Sequence, residues 1–522
     1  MNGISATSNY VGGTQPLERT FNLFMKILVY SSAFYFFSYV TADTDLWGHI
    51  KFGEDLWAAK SLHRFDIYSY TAFGAEWINH EWLAELIMFF VYSTFGSAGL
   101  LMGKLFVGFA IIYILSLIAS RRSCNRLVYG IVFVLCVFVM SPGFMIRPQL
   151  FTFLSVSYFL YVFHLYFERQ MNLLWSLPLV MVFWVNCHGG FLVGAGMFPV
   201  VVGCEYVNCR MRNKDTAHLR RMVFWLILTE ASVFINPYGY HLPEFLYKTL
   251  SVPRGIEEWY PVTVFDLSYL RFKLLALLFL CCFFIRNQQR RYWEAGIISI
   301  ALIYAFMHQR HTPVFAIVAA PYLIENLSLT FQRTGAFEKI RSSSIYAILS
   351  VFLCILVGYQ VFFTGCKYVK AQCNIIVDPT KYPLGAIRFL KENGVKGDLL
   401  LPFDWGEYAI WKLHPDCRVS IDGRFRTVYP EKVLADHFSA AVDETKLLEL
   451  LEKYPADIIL GRQNPLYERL ISTQNSWKYV YSDSTSIVFV KNNSSQGDVL
   501  ERLRRNALIY PDNDTPLSTY FP

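Results

Sequence analysis

The chain has 522 residues, of which 54% are hydrophobic and 17% aromatic against 17% charged, with a mean hydropathy of +0.33 and a formal net charge of +7. Soluble domains carry roughly 25% charged residues, so this composition excludes an ordinary cytosolic enzyme, and the apolar content excludes a disordered chain. The charge is also uneven. Residues 365–522 hold 40 of the 87 Asp, Glu, Lys and Arg residues, which marks off a membrane-embedded body, 1–364, from a soluble tail, 365–522.

The first apolar run, Phe21 to Thr41, is longer than a signal-peptide core and dense in Phe and Tyr. It reads as a retained anchor, although Val40-Thr41-Ala42 faintly resembles a cleavage site. Residues 42–81 follow as the longest polar interruption of the first third. They set Asp43, Asp45, Glu54, Asp55, Asp66, Glu76 and Glu81 against Lys51, Lys60 and Arg64. An acidic loop suits the non-cytoplasmic face, with the N-terminus inside. Within it, Leu46 to Ala59 reads as a short amphipathic helix. Trp47, Ile50 and Trp57 recur at helical spacing, with rings suited to the headgroup zone.

A hydrocarbon core of roughly 30 Å needs about 20 apolar residues per helix. Candidate spans lie at 21–41, 82–96, 98–119, 127–141, 149–167, 173–187, 191–207, 222–236, 271–286, 294–309, 312–325 and 345–364. The expected body is therefore a polytopic α-helical bundle of about 11–13 crossings, the shorter ones extended by polar neighbours or re-entrant. Breaks fall at Ser141-Pro142-Gly143, His188-Gly189-Gly190 and Asn236-Pro237-Tyr238-Gly239, where backbone punctuation demands them. The basic groups Arg121, Arg122 and Arg126, Arg220 and Arg221, and Arg290 and Arg291 lie between apolar runs and read as flanks of spans. No soluble basic face is present, so nucleic acid is not an expected partner. Eleven cysteines include no CxxC pair. Cys366 and Cys373 are the two close enough in sequence, in a non-cytosolic tail, to suggest a disulfide.

The tail alternates helix and strand: Leu384 to Lys391 helical, Asp398 to Leu401 extended, Glu407 to Leu413 helical, Arg418 to Ile421 extended. A helix at Glu444 to Lys453, a strand at Asp457 to Leu460 and two strands around Tyr479 to Val490 complete a small α/β domain.

Candidate chemistry concentrates in the first loop, at Asp43-Thr44-Asp45-Leu46-Trp47-Gly48-His49, Asp66 and His80-Glu81. If the helix begins near Thr44, Asp45 and His49 share one face, and a carboxylate with an imidazole can bind a divalent metal or relay a proton. The plainer alternative is that the aspartates cap a helix and His80-Glu81 is a solvated boundary. Cationic candidates at the ends of apolar runs are Arg147, His188 with Gly189-Gly190, and His308, Arg310 and His311; a charge there is tolerable beside headgroups or a wet cavity. Arg147 reads equally as an interfacial anchor, and His188 as a helix break satisfied internally. In the tail, Asp404-Trp405-Gly406-Glu407-Tyr408 and Asp422-Gly423-Arg424 follow strands, where α/β sheets bind ligands. Trp405 and Tyr408 can stack on a sugar and Asp422 or Arg424 bind its hydroxyls; the alternative is a packed Trp and a plain turn.

The stretches "DTDLWGHIKFGEDLW" and "NHEWLAELIMFFVYSTFG" resemble the GT-C superfamily of integral-membrane glycosyltransferases. With "NCHGGFLVG", "NPYG", "EEWYP" and "DWGEYAIW…RVSIDGR", they look more closely like a group of uncharacterised bacterial GT-C-like membrane proteins. The resemblance implies inverting transfer of a sugar from a polyprenyl-phosphate donor to a glycan, lipid or protein acceptor. The setting it implies is the outer face of the bacterial cytoplasmic (inner) membrane, with the first loop and the tail both periplasmic.

By position the family's loop aspartate, which takes or holds the acceptor hydroxyl, falls on Asp43, with Asp45 as the other acid. His49, His80 and Glu81 would stand by as ligands of a Mg or Mn ion or as its surroundings. Arg147, His188, His308, Arg310 and His311 would meet the donor phosphate. Asp66, Trp405, Tyr408, Asp422 and Arg424 would meet the sugar or acceptor. Two departures stand out: Thr44 separates the acids, and Asn79-His80-Glu81-Trp82 replaces the usual Lys-Pro-Pro or His-Pro-Pro. Two other readings remain, a non-catalytic scaffold of envelope assembly and a transporter or flippase. The latter calls for duplicated halves, which the sequence lacks.

Overall fold

In the computed structural model, residues 14–122, 124–250, 257–284, 291–334, 343–464, 476–511 and 519–521 are described. They divide into two units, one formed by the chain up to Tyr39 with Leu101–Gln372, the other by Val40–Leu100 with Cys373–Pro522. The linear reading puts the first outer loop with the membrane body; by its packing, the loop is part of the unit that contains the tail.

The helices run α1 (Thr14–Phe37), α2 (Leu46–Ala59), α3 (Trp82–Ser120), α4 (Arg126–Met140), α5 (Gln149–Arg169), α6 (Ser176–Cys187) and α7 (Phe191–Met211). They continue as α8 (Ala217–Ala231), α9 (His241–Leu250), α10 (Leu270–Phe284), α11 (Tyr292–Met307), α12 (Thr312–Thr334) and α13 (Ser343–Lys370). Seven segments among the described residues are long and apolar enough to cross a membrane: Arg19–Phe37, Trp82–Ser120, Arg126–Gly143, Gln149–Arg169, Phe191–Met211, Gln309–Arg333 and Ala347–Lys370. The apolar helices Ser176–Cys187 and Tyr292–Met307 are shorter. The expected spans at 82–96 and 98–119 are the two arms of α3, which bends at Gly96 (φ 61°, ψ −157°).

Local sequence sets the ends of these helices. Asn125 caps α4 by accepting the N–H groups of Leu127 and Val128, which satisfies donors that a helix start leaves orphaned. Pro148 opens α5, and Gln170 closes it in the left-handed region.

Where α3, α5, α11 and α12 share one end of the first unit, charges are paired in the interior. Arg122, its side chain 2% exposed, pairs with Glu294 and with Glu325 at 3.3 Å. Its Nη2 lies 3.0 Å from His164 Nδ1. Arg291 reaches both oxygens of Glu325 at 2.6 and 3.2 Å and also pairs with Glu168. Burying such charges is tolerable only when they meet opposite partners.

The second unit is built on a five-stranded sheet of β1 (Gly397–Leu400), β2 (Cys417–Val419), β3 (Ile458–Arg462), β4 (Trp477–Ser482) and β5 (Ser486–Lys491), in the order β2-β1-β3-β5-β4. β1 is parallel to both β2 and β3; β5 runs antiparallel to β3 and β4. The tail helices are α14 (Leu384–Glu392), α15 (Gly406–Leu413), α16 (Glu431–Ala440), α17 (Glu444–Lys453) and α18 (Gly497–Arg504); α16 and α18 had no counterpart in the sequence reading. Leu400, Leu447, Leu450, Ile459 and Phe489 form a core against which Tyr70 of the first loop packs.

The loop is stitched to this sheet. Tyr70 N–H donates to Val419 O (3.0 Å), Val419 N–H to Tyr68 O (3.0 Å) and Ala42 N–H to Ile376 O (2.8 Å), so residues 68–70 extend the sheet beside β2. Helix α2 keeps its expected bounds but not its expected environment. Trp47 is fully buried, with the rings of Tyr382 and Tyr408 at 4.6 and 5.0 Å, so it is a core residue and not a headgroup anchor. Trp57, on the other hand, is exposed.

The suggested disulfide is likewise corrected: Cys366 and Cys373 are both free thiols, one in the last turns of α13 and the other in the turn beyond it. Arg290 lies outside the described residues.

Candidate active site

In the second unit, the start of α2 gathers carboxylates from distant parts of the sequence. Asp43 Oδ1 accepts the Asp45 N–H at 3.2 Å, and Asp45 Oδ1 accepts the Thr44 hydroxyl at 3.2 Å. Asp45 stands at the N-cap of α2, yet its side chain makes no capping hydrogen bond. The capping alternative therefore does not account for the Asp45 carboxylate.

Glu407, at the start of α15, is buried against the same turn and accepts the Gly48 N–H at 3.1 Å. A methyl group at Gly48 or at Gly423 would collide with the Glu407 carboxyl, and one at Gly423 would also press on Asp45. These two glycines make the space in which the acids meet. Burial first, then the charges of Asp45 and Asp422, hold the Glu407 carboxyl well above the usual carboxylate range.

One turn along α2, His49 Nδ1 lies 3.5 Å from Glu85 Oε1 and completes no hydrogen bond although it is buried. Asn79 Nδ2 donates to Glu85 Oε2 at 2.6 Å, and its Oδ1 accepts the Glu81 N–H at 3.1 Å. His80 Nε2 is 3.7 Å from Glu81 Oε1. One ligand atom each from His49, Glu81 and Glu85 fall within 4.8 Å of one another, a group able to hold a metal ion. Burial opposes protonation of His49, but Glu85, Glu81 and Asp45 outweigh it and raise its pKa.

The residues assigned to sugar binding are placed differently. Arg424 Nη1 donates to Asp66 Oδ1 (2.6 Å), while Nε and Nη2 donate to the two oxygens of Asp422 (2.8 and 2.7 Å). Asp422 also accepts the Tyr429 hydroxyl (2.5 Å), and Asp66 accepts the N–H groups of Tyr68 and Ser69 (both 3.1 Å) and the Ser69 hydroxyl. The guanidinium is surrounded by the rings of Phe52, Tyr68 and Trp77 at 5.3, 5.0 and 4.9 Å. The three charged groups are thus occupied with one another in the interior. Trp405 is fully buried with its Nε1–H on Lys381 O (2.7 Å), and Tyr408 is buried beside Trp47.

The cationic candidates come together within the first unit. Thr152 Oγ1 accepts Trp184 Nε1–H (2.8 Å), so its own hydroxyl donates to His188 Nδ1 (2.8 Å), which also accepts Gly190 N–H (3.0 Å). Nδ1 is therefore the acceptor, and the proton of the neutral ring sits on Nε2. His308 Nδ1–H donates to Trp259 O (2.9 Å), and Arg310 stacks on the Trp259 ring at 4.7 Å. The rings of His308 and His311 are 5.8 Å apart. Arg147 meets Glu258, the neighbour of Trp259, at 3.2 Å.

Sequence reasoning gave no role to Glu407, Asn79 and Glu258, although each stands in a stretch singled out there, and it did not single out Glu85. Glu85 was within reach, because Glu81 and Glu85 are four apart on one helix face. Glu407 carries no such local signal.

The same architecture occurs in ArnT from Cupriavidus metallidurans. The structure bound to undecaprenyl phosphate matches with a TM-score of 0.52 at 10% identity, covering 93% of this chain and 99% of that one. The apo structure matches at 0.51 and 11%, covering 90% and 97%. The arabinofuranosyltransferase AftD from mycobacteria gives a TM-score of 0.49 at 11% identity, covering 94% of this chain and 40% of AftD. No family model and no curated protein matches the sequence. The chain thus has the fold of ArnT, with seven helices among the described residues long and apolar enough to cross a membrane and a small C-terminal sheet domain.

Proposed function

We propose that this protein is an inverting glycosyltransferase that moves a sugar from a polyprenyl-phosphate-linked donor to an envelope glycan, lipid or protein, on the outer face of the bacterial inner membrane. The observation that carries the reading is the GT-C fold over 93% of the chain, shared with a protein crystallised with undecaprenyl phosphate. Asp43 is the base. It takes the acceptor proton while the hydroxyl oxygen attacks the anomeric carbon, and the bond from that carbon to the phosphate oxygen breaks with inversion. The Asp45 N–H orients Asp43. We assign the phosphate of the lipid carrier to the first unit, where Arg147 and Arg310 offer positive charge and the imidazoles of His188, His308 and His311 offer N–H donors.

A divalent cation fits His49, Glu81 and Glu85, since the buried Nδ1 of His49 lacks a hydrogen-bond partner beside two carboxylates. When bound there, Mg or Mn would supply positive charge near the acid-rich start of α2. His80 flanks this group through Glu81.

The test uses the purified full chain in proteoliposomes with a panel of undecaprenyl-phosphate-linked hexoses and pentoses, following release of undecaprenyl phosphate. Asp43→Asn should lower turnover by about 10²–10⁴-fold, the contribution of a positioned base, and Asp45→Asn by less. Turnover equal to the wild type in both variants would remove the two aspartates from the mechanism, and no turnover by the wild type with any donor of the panel would leave a non-catalytic scaffold.

A further inference from the structure

A second group of metal-ligating side chains lies in the first unit, at the hairpin between α7 and α8, where neither the acids nor the cations discussed above are found. Glu205 and Cys209 are four apart on α7 and share one face; His218 enters from the first turn of α8. His218 Nε2 is 3.2 Å from Glu205 Oε1, Cys209 Sγ is 3.6 Å from the same oxygen, and Sγ and Nε2 are 3.9 Å apart. The three atoms form a nearly closed triangle of one sulfur, one nitrogen and one oxygen.

Those edges have the size of one face of a tetrahedral metal site. Zinc bonds of about 2.3 Å to sulfur and about 2.0 Å to nitrogen and oxygen, at tetrahedral angles, require ligand-to-ligand edges of roughly 3.3–3.6 Å. The observed triangle needs only a small inward movement of the thiol. Asn208 Nδ2 holds the other carboxylate oxygen, Oε2, at 3.0 Å, which leaves Oε1 turned toward the sulfur and the imidazole. Outer partners of this kind fix the orientation of a metal ligand. Asp215 O, 3.7 Å from Sγ, offers a fourth oxygen beside the site. Tyr166 of α5 donates to His218 O at 3.2 Å and anchors the start of α8. Cys209 is 1% exposed, whereas the His218 side chain is 36% exposed, so the thiol is sheltered and an ion has a way in.

We infer that Glu205, Cys209 and His218 form a zinc site that pins α7 to α8. Thiolate, imidazole and carboxylate together select zinc or another borderline transition metal over Mg and Ca. With both acids deprotonated and the imidazole neutral, the ligands cancel the charge of the dication. That suits a site at the end of a membrane helix among Arg210, Arg212, Lys214, Arg220 and Arg221. The inference stands apart from the transfer reaction and from the His49 group, which contains no sulfur.

The test is cobalt substitution of the purified, chelator-treated full chain in detergent. One equivalent of Co(II) should give the visible bands of a tetrahedral ion together with a sulfur-to-cobalt charge-transfer band in the near ultraviolet. Cys209→Ser should abolish the charge-transfer band, while Cys204→Ser, one turn away on α7, leaves it intact. Asn208→Ala removes no ligand and should weaken cobalt binding by about 10–100-fold, the usual effect of losing an outer partner. Absence of a charge-transfer band in the wild type overturns the site. So does a band that survives Cys209→Ser, which would mark adventitious cobalt on another cysteine.

Discussion

At one end of α5, His164 and Glu168 lie in a network where Arg122 and Arg291 face Glu168, Glu294 and Glu325. Twelve residues earlier on the same helix, about 18 Å away at 1.5 Å per residue, Thr152 bonds to His188 at an end that also gathers Arg147, Glu258, His308, Arg310 and His311. The first end pairs two guanidinium groups with three carboxylates, so that each buried charge meets an opposite one. The second gathers two arginines and three histidines with Glu258. A buried, paired network clamps helices together, whereas a cluster of cation-forming groups at a helix end suits an anion. The same contrast recurs in the second unit, where Arg424 is shared by Asp66 and Asp422 while Asp45 and Glu407 lie close together as two acids.

The largest effects are expected where buried charges are paired. Arg424→Ala leaves Asp66 and Asp422 buried without their cation, and removing one partner of a buried pair costs about 3–5 kcal/mol. Loss of cooperative unfolding, or a large drop in the unfolding temperature of the detergent-solubilised protein, is the expected result. Arg122→Ala should do the same in the first unit, because among the described residues it leaves Glu294 with only the 3.6 Å contact to Arg291. A variant of either kind that melts like the wild type would break the distinction between clamp and site.

The cationic end should respond in the opposite manner. Arg310 stacks on Trp259, a contact worth about 0.5–1 kcal/mol at exposed sites, so Arg310→Gln should lower the unfolding temperature less than Arg424→Ala does. A lost charged hydrogen bond to a phosphate costs about 1.5–3 kcal/mol, or roughly 10–100-fold in affinity. Binding of undecaprenyl phosphate, measured on the purified protein in nanodiscs, should weaken by that factor. Unchanged affinity would assign Arg310 to structure alone.

Much of this architecture is legible in the sequence because it depends on local patterns. Leu46 to Ala59 folds as the helix its spacing predicts, and Glu444 to Lys453 does likewise, capped by Asp443 accepting the Lys446 N–H. The apolar runs become the membrane helices, with Gly96 dividing the longest. The failures come from contacts between distant segments. Nothing near Trp47 announces that Tyr382 and Tyr408 will cover it. The pairing of Asp66 with Arg424 joins residues 358 positions apart, and each looks in isolation like a ligand for a hydroxyl. Glu407 sits amid a helix-forming run, and its burial follows only from the glycines that come to face it. Helix α16 was missed although Pro430-Glu431 is a recognisable helix start.

Glu407 gives the smallest and most specific effect. Its pKa in the folded protein lies well above the ordinary 4.5. As pH rises through 4.5, the unfolded chain releases this proton while the native protein keeps it. The unfolded state then binds fewer protons, so stability falls with rising pH, at up to about 1.4 kcal/mol per unit, until the native carboxyl ionises. Glu407→Gln retains an oxygen for the Gly48 N–H and carries no titrating proton. Its unfolding temperature should therefore gain on the wild type steadily from pH 4.5 upward. Groups common to both proteins, His49 and Lys51 among them, cancel in the difference to first order. Parallel curves for the two proteins would mean that Glu407 ionises normally in spite of its burial beside Asp45 and Asp422.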